Sequence, residues 1–338
     1  METLAAFACD AIVGMKALVT GATGFLGQYI VEQLVARGNR VRALCRRPTP
    51  ELEKLGVESA QGDLRDRQSV VLACKGMDAV FHVAGGAGIW GPWEYYYSIN
   101  VRGTQHVIEG CREHRVARLV FTSSPSVTFD GSDQCGINES APYPSGWLCH
   151  YPHTKALAEQ AVLAANDAKL ATCALRPHLI WGPRDRHLIP RLIARARAGQ
   201  LRRVGDGTNL IDMIYVENAA LAHLLAAEAL SPGSSVAGRA YFISQGEPVN
   251  CWQWIDELLA LHGLSPVSKS ISVRTAWRIG SAMETVYRLL RLPGEPRMTR
   301  FLAAQLGRSH YFDISRARQD FGYRAEISTD EGMRRLIS

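Results

Sequence analysis

The feature that most narrows the folds open to this chain is a glycine loop set between a short apolar run and a helical one. Lys16-Ala17-Leu18-Val19-Thr20 reads as a buried strand. Gly21, Gly24 and Gly27 follow at three-residue spacing, and Phe25 to Arg37 carries a helical pattern. A backbone that turns tightly and approaches a pyrophosphate needs glycine there, and the phosphate charge then rests on the helix N-terminus. By itself such a loop is only a tight turn. At the first strand of a βαβ pattern it points to dinucleotide binding, with Gly21, Thr23, Gly24, Phe25, Leu26 and Gly27 as candidate contacts.

Further strands are expected at Val41 to Cys45, Asp78 to Val83, Arg118 to Ser123 and Thr172 to Arg176. Helical patterns at Trp93 to Glu113 and Pro152 to Asn166 separate them. That alternation implies right-handed crossovers and a parallel sheet. The expected class is therefore α/β, a doubly wound Rossmann fold with a smaller, mainly helical C-terminal substrate lobe. The core is read as residues 15–176, after an N-terminal extension over 1–14 that lacks the basic start of a signal peptide. Met15, immediately before the first strand, is a candidate natural start, and the choice between it and Met1 stays open. Strands near 211–216 and 240–244 are expected to return to the main sheet, leaving 177–210 and 246–338 as the lobe.

The end of the second strand bears on cofactor choice. An acid there would hold a ribose 2′-hydroxyl; here the sequence is Cys45-Arg46-Arg47, with no carboxylate until Glu51. Two guanidiniums suit a 2′-phosphate, so the expected cofactor is NADPH/NADP+, held in part by Arg46 and Arg47. Position alone adds Asp63 and Leu64 after a short strand, and Ala84 and Gly85 after the fourth.

Tyr151-Pro152-His153-Thr154-Lys155 opens a helix, and i, i+4 spacing sets Tyr151 and Lys155 on one face. Tyrosine, with a pKa near 10, is a poor acid–base catalyst until a neighbouring ammonium favours its phenolate. A chance tyrosine–lysine pair at this spacing is expected about 0.2 times in such a chain, so the pair needs support. Ser123 and Ser124, at the end of a buried strand, supply it: a serine there donates to a carbonyl oxygen as charge develops. Ser124 is the candidate, with Ser123 left open, and Asn100 is either a water-relay support or structural. Hydride transfer to a carbonyl follows, with Tyr151, Lys155 and Ser124 as the catalytic set.

Composition removes other classes. Net charge is +6 with no basic run interleaved with aromatics, which argues against nucleic acid. The eight cysteines are scattered, favouring reduced thiols and a cytoplasmic location, and no histidine or cysteine motif suggests a metal. No stretch of eighteen apolar residues is present.

The glycine loop, Tyr-Pro-His-Thr-Lys, Leu175-Arg176-Pro177 and Trp181-Gly182-Pro183 together resemble the extended short-chain dehydrogenases, and within them the 3β-hydroxysteroid dehydrogenase/isomerase family. The resemblance runs from Met15 to the C-terminus. It implies that Tyr151, Lys155 and Ser124 are catalytic and that Pro177 lies against the nicotinamide. Gly85-Gly86 stands where many relatives carry alanines, a departure that bears on substrate rather than cofactor. Residues 161–172, 175–200, 204–212 and 290–301 are similar to a narrower bacterial group within the family. That likeness implies reduction of a long-chain 2-alkyl-3-oxo acid in olefin biosynthesis, and assembly with a β-lactone synthetase and a β-lactone decarboxylase. A bulky-alcohol or 3β-hydroxysteroid dehydrogenase is the alternative enzyme, and a non-catalytic NADPH sensor the alternative of another class.

In the lobe, Ala276, Ile279, Met283, Val286 and Leu290 form an apolar helix face, with Arg274, Arg278, Arg288 and Arg291 around it. Core packing is the plainer reading; a lid over acyl chains, or peripheral membrane contact, is the other. Trp90, Trp93 and Trp181 could line the same apolar pocket, though for each taken alone packing is the plainer reading. Homodimerisation stays open.

Overall fold

The computed structural model describes residues 14–337, so the expected extension lies outside the described residues except for Gly14. Seven strands form the central sheet: β1 (Lys16–Thr20), β2 (Arg40–Cys45), β3 (Glu58–Gln61), β4 (Ala79–His82), β5 (Arg118–Thr122), β6 (Ala171–Pro177) and β7 (Arg239–Ile243). They run in the order β7-β6-β5-β4-β1-β2-β3, every neighbouring pair parallel. The order reverses between β1 and β4, which opens a crevice at the strands' carboxyl ends. Strands covered on both faces read as continuous apolar runs. Ala17 to Thr20 and the whole of β4 and β6 are buried, as those runs require.

Helices α1 (Phe25–Ala36), α2 (Gly103–Glu113), α3 (His150–Ala164) and α4 (Val216–Ala229) flank the sheet. The helical run expected from Trp93 to Glu113 is present, with six π-helical residues, Tyr97–Arg102, between Trp93–Tyr96 and α2.

Two expected boundaries need correction. The strand placed near 211–216 does not join the main sheet. Leu210–Ile211 pairs with Val249–Asn250 and His310, while Ile214–Tyr215 pairs with Ile180–Trp181. The break falls at buried Asp212, whose carboxylate accepts the Phe312 N–H at 2.8 Å and so ties this segment to Phe312 instead. The segment near 240–244 does return, as β7.

The lobe assigned to 246–338 is also too long. Phe312 stacks on Phe242 at 4.3 Å, Tyr323 donates to the Ser244 carbonyl at 3.0 Å, and Ala317 and Phe321 join the sheet's core. Apolar side chains spaced through residues 312–323 bury against β7 and α4, which periodicity alone does not distinguish from burial in a lobe. The remaining lobe has its own core of Trp252, Trp254, Leu258 and neighbours. Trp181 belongs there, fully buried against Tyr215 and Trp254, and is not a pocket wall. Among the described residues no helix is long and apolar enough to cross a membrane.

Candidate active site

A cleft of about 640 Å³ follows the carboxyl ends of β1, β2, β4 and β5. Gly21, Thr23, Gly24, Phe25, Leu26 and Gly27 form one wall. The glycines are dictated by close backbone approach. A Cβ on Gly21, whose φ is +74°, would sit 2.8 Å from the Ala84 backbone, and one on Gly27 would lie 2.1 Å from the Gly21 carbonyl oxygen. α1 begins here without a side-chain cap or an acid in its first turn, so its leading N–H groups and positive dipole end are left for a ligand. The loop's shape, its open helix end and the cleft's volume all fit a dinucleotide.

Arg46 lines the cleft, whereas Arg47 is exposed and outside it. Asp63 and Leu64 line it too. The Asp63 carboxylate is gripped by Arg65 through two bonds of 2.8 Å, and this partner holds its pKa at about 2. Sequence reasoning missed Arg65, itself a cleft residue. Ala84 and Gly85 form the opposite wall. Pro177 is buried at the end of β6, and the cleft wall near it is Ile180 and His187 instead.

A buried chain of hydrogen bonds holds the Ala84–Gly86 loop. The Ala84 N–H donates to Thr20 Oγ1 at 3.2 Å, and Thr20 Oγ1 lies 2.8 Å from His82 Nδ1. His82 Nε2 lies 2.9 Å from Thr104 Oγ1, which donates to the Asn100 carbonyl at 2.6 Å. One tautomer satisfies every group: Thr20 donates to Nδ1, and Nε2–H donates to Thr104. Burial drives the His82 pKa down to about 3, so the ring stays neutral. Asn100 then grips Gly86 on both sides, accepting its N–H at 2.7 Å and donating to its carbonyl at 3.1 Å, and also donates to Thr154 at 3.0 Å. The π-helical turn delivers this side chain to the loop, a common use of such turns. Asn100 is thus structural in this geometry, joining the loop to α3. His82 and Thr104 carried no sequence signal because each sits in an ordinary apolar or helical pattern.

The cleft ends at Thr122, whose carbonyl oxygen accepts Lys155 Nζ at 2.5 Å. The ammonium also lies 4.0 Å from the Phe121 ring centroid. Burial pushes its pKa down to about 7. Tyr151 stands one helical turn earlier. Its pKa is raised by burial and drawn back by a hydrogen bond with Ser124. The expected lowering of Tyr151 by Lys155 is absent from this geometry, because the buried ammonium turns to the strand-end carbonyl. A protonated Tyr151 is the result, which is the form a proton donor needs.

The two serines separate cleanly. The Ser123 N–H continues the ladder to the Leu175 carbonyl at 2.6 Å, and its hydroxyl is buried without a partner. Ser124 bonds Tyr151, lies 2.8 Å from Ser126 Oγ and caps a short 3₁₀ turn. Around them, Tyr96 lies 6.5 Å from the Tyr151 ring and donates to the Trp90 carbonyl at 3.0 Å. Trp93 packs on His150 and His153, and Phe129, Phe301, Trp277, Leu148, Ile89 and Cys149 form an apolar cluster beside the start of α3.

Residues 18–273 match the model of the 3-beta hydroxysteroid dehydrogenase/isomerase family. The chain belongs to that family. It is 53% identical over 325 residues to the 2-alkyl-3-oxoalkanoate reductase of Stenotrophomonas maltophilia, covering 95% of this chain and 98% of the relative. It is 37% identical to the mouse sterol-4-alpha-carboxylate 3-dehydrogenase, decarboxylating, covering 95% and 90%. A solved structure of MoeE5 in complex with UDP-glucose and NAD superposes with a TM-score of 0.71 at 28% identity, covering 95% and 97%. The family membership makes this chain an oxidoreductase of the short-chain dehydrogenase type.

Proposed function

We propose that this family member uses NADPH to reduce the 3-oxo group of a long-chain 2-alkyl-3-oxo acid to the 3-hydroxy acid. The observation that carries the reading is a glycine-walled cleft that ends at Thr122, whose carbonyl accepts Lys155 Nζ at 2.5 Å, with Tyr151 one turn before that lysine on the same helix. The 53% identical relative is named for this reaction, which supports the substrate class.

Bound NADPH supplies the hydride. The chain's own groups do the rest. Gly21, Gly24, Gly27 and the open end of α1 hold the pyrophosphate, and Arg46 meets the 2′-phosphate. Ser124 and Tyr151 orient the substrate carbonyl oxygen. The Tyr151 phenol gives it a proton as charge builds, and Ser124 stabilises that charge. Lys155, kept beside the cleft's end by the Thr122 carbonyl, is the cation available to the nicotinamide ribose. Cofactor chemistry is fixed; positioning and proton supply are what this protein adds.

The reading extends to long-chain olefin biosynthesis, with the hydroxy acid passing to a β-lactone synthetase and a β-lactone decarboxylase; co-purification of the three enzymes tests that assembly. The activity test is cofactor oxidation with a 2-alkyl-3-oxo acid, using NADPH and NADH in parallel. NADPH should be preferred, and Arg46→Ala should lose the preference while Arg47→Ala keeps it. Equal use of both cofactors by the parent protein would overturn the NADPH assignment. The mouse relative motivates a second reading, oxidation at a sterol 3-position. Turnover of a sterol 3-alcohol without turnover of the oxo acid would favour it.

A further inference from the structure

We propose that α5 (Val273–Leu289), with the turn that follows it, docks the protein onto an anionic lipid bilayer. Large apolar side chains scattered singly on a surface are ordinary, but a concentration of them marks a contact site. Nine such side chains are exposed among the described residues, and five lie here: Ile279 at 42%, Val286 at 44%, Leu289 at 77%, Leu290 at 66% and Leu292 at 39%. The helix does not need this stripe for its own anchorage. Its buried face is Ala276, Gly280 and Glu284. A Cβ on Gly280 would lie 2.6 Å from the Thr299 backbone, and Glu284 accepts the Arg300 N–H at 2.7 Å and its Nε at 2.9 Å. The expectation that Ile279, Val286 and Leu290 pack into the core is therefore corrected: smaller residues at neighbouring positions make that contact.

Charge selects the occupant. Residues 273–300 contain six arginines, no lysine and two acids. Glu284 is buried beneath Arg300, and Glu295 is taken by Arg191 at 3.1 Å. Arg274, Arg278, Arg291 and Arg297 have no ion pair among the described residues. Exposed leucines flanked by unpaired arginines match a layer that offers acyl chains below and phosphates above. The turn reinforces the presentation. Arg291 holds a left-handed φ of +48° where glycine is the usual residue, and leucines 289, 290 and 292 are left outward around it.

The docked face leads to the catalytic end of the molecule. Tyr287 packs on Trp90 at 6.2 Å and Arg288 lies over the same ring at 5.3 Å, while Trp90 holds Tyr96 beside Tyr151. If the reading under Proposed function holds, this side faces the bilayer into which a long-chain substrate partitions; the docking itself stands without it.

The test is flotation of the full chain with vesicles of phosphatidylcholine alone or mixed with phosphatidylglycerol. Binding should need the anionic lipid and weaken with salt. Leu289→Ser with Leu290→Ser should lower partitioning about tenfold or more, since burying leucine in an apolar phase is worth that much. Arg278→Ala with Arg291→Ala should lower it about fivefold per arginine removed. Turnover of a short, soluble substrate should be unchanged in both variants, showing an intact fold. No binding to anionic vesicles, or binding that both variants retain, would overturn the proposal. So would concentration-dependent self-association lost with the leucines, which would assign the face to a second copy of the chain.

Discussion

The cofactor end of the cleft and the α5 face were both read from apolar patterns, and the structure treats them in opposite ways. At the cofactor end, apolar runs are buried on both faces and nearly every polar group between them has a defined partner, from Ala84 through Thr20, His82 and Thr104 to Asn100 and Gly86. On α5 the large apolar residues face outward, and alanine, glycine and a carboxylate face inward. A sheet's geometry leaves an apolar strand no place but the interior. A lobe helix has two candidate faces, and the one that packs is the one small enough for close backbone approach, as Gly280 against Thr299 demonstrates.

The sharpest way to break this contrast is at the site itself, where the chemistry should depend on single atoms. Tyr151→Phe removes a hydroxyl and leaves the packing intact. Turnover with NADPH and an oxo acid should fall by roughly 10²–10⁴-fold while cofactor affinity and thermal stability barely change. Near-normal turnover in the folded variant would remove Tyr151 from the mechanism. Ser124→Ala should lose less, and Ser123→Ala, whose hydroxyl has no partner, least of all.

The next largest effect lies just behind the site. Arg176 and Glu159 form a buried ion pair at 2.6 and 3.0 Å, and Tyr143 donates to the same carboxylate at 2.7 Å. Glu159→Ala leaves the guanidinium buried and uncompensated, so the chain should lose about 3–5 kcal/mol of stability, read by denaturant unfolding. A loss under 1 kcal/mol would mean that the core tolerates local rearrangement as the lobe does.

These two sites also divide what the residues disclosed in advance. The strand alternation and the glycine loop at its first turn were legible because each joins a residue type to a fixed spacing that the fold requires, and the same spacing put Tyr151 and Lys155 one turn apart on α3. The split of residues 210–215 between two small sheets was not, since it depends on Asp212 reaching Phe312 a hundred positions away. Nor was the return of Phe312 to Tyr323 to the main core. The link from Lys155 to the Thr122 carbonyl was hidden, because side-chain direction is settled by burial that spacing does not encode.

Lys155 gives a smaller effect, and a pH-dependent one. Burial lowers its pKa to about 7, while in the unfolded chain it stays near 10.4. Between these values the unfolded state binds more protons than the folded one, so this group makes stability rise with pH across that window. Below pH 7 both states are protonated and the burial cost is carried in full. Lys155→Met removes the dependence. The parent should gain about 2 kcal/mol on the variant between pH 7 and 9, measured by unfolding at each pH without cofactor. Parallel stability curves would show that the folded ammonium is better solvated than its surroundings indicate.

The smallest expected effect is on the opposite side of the comparison, and its smallness is the point. Leu289→Ser substitutes a side chain that is 77% exposed, in a helix held by Ala276, Gly280 and Glu284 on its other face. Surface changes away from packing, caps and ion pairs usually stay within about 0.5 kcal/mol, and this one should too. Gly280→Ala is the matched control. Its new Cβ would meet the Thr299 and Arg300 backbone at 2.6 and 2.8 Å, so the helix must shift and stability should drop by about 1–3 kcal/mol. Thermal unfolding of the two variants side by side measures which face holds α5. If the serine variant loses more than the alanine variant, the leucines are part of the core's cohesion, and the outward apolar face is a packing surface rather than a surface kept free for contact.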